Sequence, residues 1–168
     1  TVTNSRMSAG EFAAELIETA NAIASPGRGI LASDESLGTI GKRFAPIGVE
    51  NTKEARTAYR ELLYTTPHLG KYISGAIMFE ETLYDTGSDG RKFVDVCKEA
   101  GIIPGIKVDL GVKPLFGTDG ETVTQGITDL DKRCAEYYAA GARFSKWRGV
   151  IHITDSGAPS ELGIAENV

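Results

Sequence analysis

The sequence has few of the residues that mark several common chemistries. It contains two cysteines, Cys97 and Cys134, and two histidines, His68 and His152. Two cysteines make no disulfide framework, and both lie among apolar residues at helical spacing, so buried reduced thiols and an intracellular setting are expected. Two histidines far apart in the chain argue against a histidine-rich zinc site, and no metal is expected. No apolar stretch approaches the roughly 20 residues of a membrane span. Thr1–Gly10 has no basic segment leading into an apolar run, so neither a membrane partner nor a secretory signal is expected. Lysine and arginine form no block and the formal net charge is −5, which argues against nucleic acid as the main partner. An anionic small molecule stays open, because a pocket can be basic within an acidic chain. Walker A, Gly-x-Gly-x-x-Gly after a strand, and Gly-x-Ser-x-Gly are all missing, which removes the nucleotide folds and the serine-hydrolase elbow they mark.

What is present reads as one globular domain: 168 residues, 41% hydrophobic and 24% charged. Strand and helix patterns alternate. Ser8 followed by Glu11 resembles a capping box, and Phe12, Leu16, Ala20 and Ile23 form a stripe that Pro26-Gly27 ends. Gly29–Asp34 suits a buried strand. Asn51 with Glu54 suggests a second helix start, with Ala55, Tyr59, Leu62 and Leu63 as its apolar face. Tyr72–Phe79 reads as the next strand, and Phe93, Val96, Cys97 and Ala100 as a helix closed by Gly101. Ile102–Asp109 is a third strand, with Pro104 an objection to a central position. Leu130, Cys134 and Tyr137 stripe a helix that ends at Gly141, and Arg143–Val150 is a fourth strand. Pro159 suits the first turn of a last helix. Such alternation implies parallel strands joined by helical crossovers, in an open sheet or a barrel.

Polar groups collect late in the strands, at Asp34, Glu80, Lys107 and Asp109, and Lys146 and Arg148, where both architectures bind ligands. Period-2 geometry puts Phe144, Lys146 and Arg148 on one face. Two cations so close on a buried strand need a phosphorylated ligand or facing carboxylates; a solvated edge strand is the plainer alternative. Lys107 interrupts an apolar run in the same way, with a local Lys107–Asp109 pair as its plain reading. A lysine's pKa falls readily on burial, which suits it to amine or proton-transfer work. Asp34 could sit against Lys146 and relay protons, or could cap the helix that follows. Ser36–Arg43 offers hydroxyls, glycines and two cations as a loop able to bind phosphate. Arg56 reads by default as an exposed helical arginine.

Gly29–Ser36, Ile47–Thr52, Ile73–Tyr84, Gly105–Asp109 and Lys146-Trp147-Arg148, with Thr124–Gly126 and Gly141–Phe144, together resemble class I fructose-bisphosphate aldolase. The match runs in order from about Ala9 to Val168. The resemblance implies a (β/α)8 TIM barrel, assembled as a homotetramer. It implies reversible, metal-independent cleavage of fructose 1,6-bisphosphate to dihydroxyacetone phosphate and glyceraldehyde 3-phosphate through a lysine Schiff base, with no cofactor. By position it assigns Asp34 and Lys146 to proton transfer. It places Lys107 and Arg148 in the substrate site, Ser36, Thr39, Lys42 and Arg43 near the 6-phosphate, and Arg56 at a substrate-associated position. Leu110 departs from the family, which commonly has lysine there.

A barrel of this class needs about 250 residues and eight strands. Residues 1–168 are therefore expected to be the N-terminal half of a single barrel domain, with strands five to eight absent. The Schiff-base lysine of strand six, two glutamates of strand five, and the serine and arginine that hold the 1-phosphate have no counterpart here. The chain alone is accordingly expected to be inactive. The compartment is expected to be the cytoplasm, or else the plastid stroma. A stand-alone half-barrel with a binding or scaffolding role is the alternative. Another sugar-phosphate lyase or isomerase on the same fold fits the ordered blocks less well.

Overall fold

The computed structural model describes residues 9–168. Its frame is a four-stranded sheet formed by β1 (Gly29–Ser33), β2 (Ile73–Met78), β3 (Ile103–Lys107) and β6 (Phe144–Lys146), in that order and parallel throughout. Before, between and after them run the helices α1 (Ala9–Ile23), α2 (Leu37–Phe44), α3 (Lys53–Tyr64), α4 (Glu80–Tyr84), α5 (Phe93–Glu99), α6 (Leu130–Ala140) and α7 (Glu161–Asn167). A short antiparallel hairpin, β4 (Val112–Pro114) with β5 (Thr122–Thr124), interrupts the alternation after β3.

The pleat divides the sheet residues into two rows. Ala76, Met78 and Ile106 point to the helix-covered face, where they pack with Tyr64, Leu83, Phe93, Val94, Cys97 and Tyr137 into the buried core. Burying such side chains contributes about 1.5–3 kcal/mol each and is the main force holding the helices to the sheet. The opposite row runs Ala32, Ile77, Gly105 and Phe144 in register. Gly105 is needed there: a Cβ on it would lie 2.3 Å from Phe144 Cζ, so the ring occupies space only glycine leaves free.

Most expected elements form, with shifted ends. The α3 N-cap is Thr52, whose Oγ1 accepts from the Ala55 N–H at 3.2 Å, and not Asn51, whose side chain donates to the Leu37 carbonyl. Leu62, expected on the apolar face of α3, is 69% exposed, whereas Arg60 and Tyr64 are the buried residues of that helix. Ser36–Arg43, read as a loop, is mostly helix: Ser36 caps α2, and Ile40 and Phe44, four apart, anchor it. The fourth strand is only three residues long, because the ladder ends once the Val108 N–H reaches the Lys146 carbonyl. Arg148 therefore lies beyond the strand. Pro159, expected in the first turn of the last helix, instead lies just before the residue that caps it, Ser160. Pro104 does occupy an interior strand, and its carbonyl accepts from the Arg143 N–H at 2.8 Å. The Ser8 half of the expected capping box lies outside the described residues, and no described helix is long and apolar enough to cross a membrane.

Candidate active site at the strand ends

The carboxyl ends of the four strands open into a depression of about 550 Å³, lined among others by Asp34, Glu35, Lys107, Asp109, Lys146 and Arg148. Asp34 follows the last residue of β1, and Lys146 is the last residue of β6. These are the outer strands of the sheet, yet Lys146 Nζ donates to Asp34 Oδ2 at 2.7 Å. In a flat sheet they would stand three inter-strand spacings apart, roughly 14 Å. The pair closes because the sheet curves toward this face, as a sector of a barrel does.

Lys107 makes a local pair instead. Its Nζ donates to Asp109 Oδ1 and to the Asp109 carbonyl, both at 2.6 Å. Burial alone would raise the Asp109 carboxyl. The hydrogen bonds from Lys107 and the Gly111 N–H, with the charges of Lys107 and Lys146, outweigh it and hold the group below its ordinary range. Asp109 Oδ2 is buried without a hydrogen-bond partner.

The remaining expected residues divide by position. Ser36 and Thr39 line the depression, their hydroxyls 3.1 Å apart. Lys42 and Arg43 stand exposed in the last turn of α2 and are not part of the lining; Arg43 pairs with Glu35, which is. Arg56 is not brought to the depression. Its guanidinium makes a two-pronged pair with Glu81, Nε to Oε1 at 2.8 Å and Nη2 to Oε2 at 2.7 Å, tying α3 to α4. Asp34 does not cap α2, since Ser36 does.

Glu35 and Tyr137 also line the depression and were not among the expected site residues. Glu35 is held by both Arg43 and Arg60. Tyr137 donates its hydroxyl to Glu80 Oε1 at 3.1 Å, and burial leads the causes that raise its phenol. Leu110 sits at the rim, 65% exposed, where it adds no charge. Chemically, the depression offers an amine and a carboxylate in direct contact, able to exchange a proton, beside a second ammonium and a guanidinium suited to oxyanions.

A parallel, curved sheet with paired lysines and carboxylates at its strand ends defines an α/β barrel-type protein with an ionic strand-end site. The chain belongs to the class-I fructose-bisphosphate aldolase family, whose model matches residues 15–168. It is 64% identical over 145 residues to fructose-bisphosphate aldolase 1, chloroplastic, of Chlamydomonas reinhardtii, covering 86% of this chain and 38% of that protein. It is 60% identical over 158 residues to fructose-bisphosphate aldolase 5, cytosolic, of Arabidopsis thaliana, covering 94% and 44%. The crystal structure of fructose-bisphosphate aldolase from Plasmodium falciparum, in complex with TRAP and a small-molecule inhibitor, superposes with a TM-score of 0.91 at 51% identity. That match covers 93% of this chain and 45% of the other. The chain thus spans about two fifths of the length of the relatives it matches.

Proposed function

We propose that residues 1–168 form the N-terminal half of a (β/α)8 barrel that carries out reversible aldol cleavage of fructose 1,6-bisphosphate. The products are dihydroxyacetone phosphate and glyceraldehyde 3-phosphate. The observation that carries this reading is the Lys146–Asp34 contact of 2.7 Å between the two outer strands. A lysine elsewhere in the complete barrel forms a protonated imine with the substrate ketone. The imine accepts the electron pair released when the C3–C4 bond breaks. Lys146 and Asp34 move protons around the carbinolamine that precedes it. Lys107 and Arg148 bind substrate oxygens, and Ser36 and Thr39, with Lys42 and Arg43 turning in from α2, meet the 6-phosphate. Arg56 is assigned a substrate contact only if it leaves Glu81.

The whole protein is assigned a homotetrameric assembly and a cytoplasmic or plastid location. The cytosolic and chloroplastic names of its relatives support the locations.

The test is borohydride reduction in the presence of fructose 1,6-bisphosphate, followed by peptide mapping of the intact protein. Reduction turns the imine into a stable secondary amine. The label is expected on a lysine outside residues 1–168, and the verified 168-residue species is expected to show no turnover. A label on Lys146 or Lys107, or cleavage by the 168-residue species, would overturn the assignment of roles.

A further inference from the structure

Asp34 lies one residue beyond β1, where the sheet's ladder no longer fixes the backbone. What flanks it is gripped from one side by α3. Before it, Ser33 is fully buried, and its Oγ meets Tyr64 Oη at 2.6 Å and donates to the Ile77 carbonyl at 2.9 Å. After it, Glu35 is held by Arg60, whose Nη1 reaches Glu35 Oε2 at 2.5 Å and whose Nη2 reaches the Glu35 carbonyl at 3.1 Å. Arg60 and Tyr64 are four apart on the helix and so present themselves one above the other on a single face. We propose that Arg60 is a positioning residue: with Tyr64 one turn further on, it fixes both neighbours of Asp34 and thereby sets the Asp34 carboxylate against Lys146.

The chemistry of the contact favours geometry over stability as its purpose. The Arg60 and Glu35 side chains are 5% and 7% exposed. A buried ion pair of this kind contributes little net stability, because desolvating two charges offsets most of their attraction. An arginine fork, however, fixes direction, and here it engages a carboxylate and a main-chain carbonyl together. The fork is itself supported. Its Nε donates to Thr82 Oγ1 at 3.3 Å, and the guanidinium lies 5.3 Å above the Tyr59 ring, which in turn meets Phe44 of α2 edge-on at 5.8 Å. Arg60 thereby joins α2, α3, α4 and the end of β1 at the residue next to Asp34.

The geometric test is independent of any reaction. A carbodiimide joins a carboxylate to an amine only when the two are in contact, so the yield of the Asp34–Lys146 cross-link in the intact protein reports their placement. The reference is the Lys53–Asp85 pair, which ties the start of α3 to the segment after α4 and has an equally sheltered carboxylate. In the Arg60→Gln variant the Asp34–Lys146 yield is expected to fall by about fivefold or more, with Lys53–Asp85 kept within about twofold. An unchanged Asp34–Lys146 yield would overturn the proposal. So would both yields falling together, which would make Arg60 a packing residue for α3. The milder Arg60→Lys variant keeps the charge for Glu35 and loses the fork; an intermediate loss is expected, and a wild-type yield would also overturn the proposal.

The catalytic consequence rests on the aldolase reading above. There the Arg60→Gln variant is expected to lose about 100-fold in kcat with KM nearly unchanged. That loss should vanish in an Asp34→Asn background, since a residue acting through Asp34 has nothing left to position. Multiplying losses in the double variant would count against the proposal. A wild-type protein without aldol cleavage would sink the functional reading and leave the cross-link result to decide the role of Arg60.

Discussion

The two lysine–carboxylate pairs in the depression have nearly equal lengths, 2.7 Å for Lys146–Asp34 and 2.6 Å for Lys107–Asp109, but they are built in opposite ways. The second joins residues two apart in sequence, so one stretch of chain makes it wherever that stretch is extended. The first joins residues 112 apart and exists only when four strands, in the right order and curvature, bring the outer two together. Burial follows the same division. Asp109 is 4% exposed and Lys107 16%, whereas Asp34 is 12% and Lys146 29%. The local pair is sheltered and anchored on main chain. The long-range pair is more open, which suits its proposed role of meeting a ligand.

The comparison predicts that the long-range pair carries more of the chemistry and the local pair more of the stability. Its largest expected consequence is for Lys146→Met in the complete protein. Turnover should fall by on the order of 10²–10⁴-fold, the usual contribution of a positioned acid–base group. Folding stability should change by about 1 kcal/mol at most, because this pair is part-exposed. Steady-state kinetics beside a thermal unfolding curve checks both halves; near-normal turnover would remove Lys146 from the reaction.

The reverse holds for Asp109→Asn, which leaves a sheltered ammonium short of its counter-charge and should cost about 1–3 kcal/mol of stability. The pH dependence has a defined sign. The folded carboxyl is held below its ordinary 3.8, so its contribution is complete above that value and is lost as pH falls through the lower folded value. Acid unfolding of the Asp109→Asn variant should lack this component. If the variant unfolds in acid along the same curve as wild type, the Lys107–Asp109 pair stabilises nothing.

The same difference explains what the sequence disclosed. A period of two along an extended run is enough to suspect Lys107–Asp109. No periodicity connects Asp34 with Lys146; residue chemistry left their contact open beside a helix-capping role for Asp34, and resemblance to a family then favoured it. The four parallel strands were legible because each is a short apolar run bounded by helical pattern. Their ends were not, since hydrogen-bond partners and not side chains decide where β6 stops. Arg60 was hidden by its type: on α3 it counts as polar, and Leu62 takes its place in any apolar stripe. Yet Leu62 is exposed and Arg60 buried, because the acceptors that make burial tolerable, Glu35 and Thr82, come from distant segments. Two glycines in α2 and the serine that caps it masked a helix that Ile40 and Phe44 hold in place.

A third prediction separates the pairs mechanically. In Gly105→Ala, the added methyl meets the Phe144 ring, and relieving that contact should cost about 1–3 kcal/mol. Phe144 and Lys146 share one face of β6, so displacement of that strand moves Lys146 away from Asp34. Lys107 and Asp109 share a continuous segment and should stay together. A carbodiimide cross-link of Lys146 to Asp34 should therefore weaken in this variant while the acid-unfolding component from Asp109 persists. Loss of both would show that the local pair also depends on the β3–β6 register.

The smallest expected effect lies outside the depression and marks the boundary of the comparison. Arg56 matches a substrate-associated position by resemblance, yet its guanidinium is committed to Glu81 through two hydrogen bonds and to Asn51 through two more. Its first effect should thus be to hold α3 against α4. The side chains are 13% and 26% exposed, so the pair is neither fully buried nor freely solvated, and Arg56→Gln should cost about 1 kcal/mol. Sugar-phosphate affinity, measured by calorimetry on the intact protein, should change by no more than about twofold, since a site that shares no partners with Arg56 is not coupled to it. A loss of about tenfold or more would mean that Arg56 leaves Glu81 when substrate arrives, because each such factor needs about 1.4 kcal/mol of contact with the ligand. The ionic network at the strand ends would then extend one helix further than the Lys146–Asp34 and Lys107–Asp109 pairs reach.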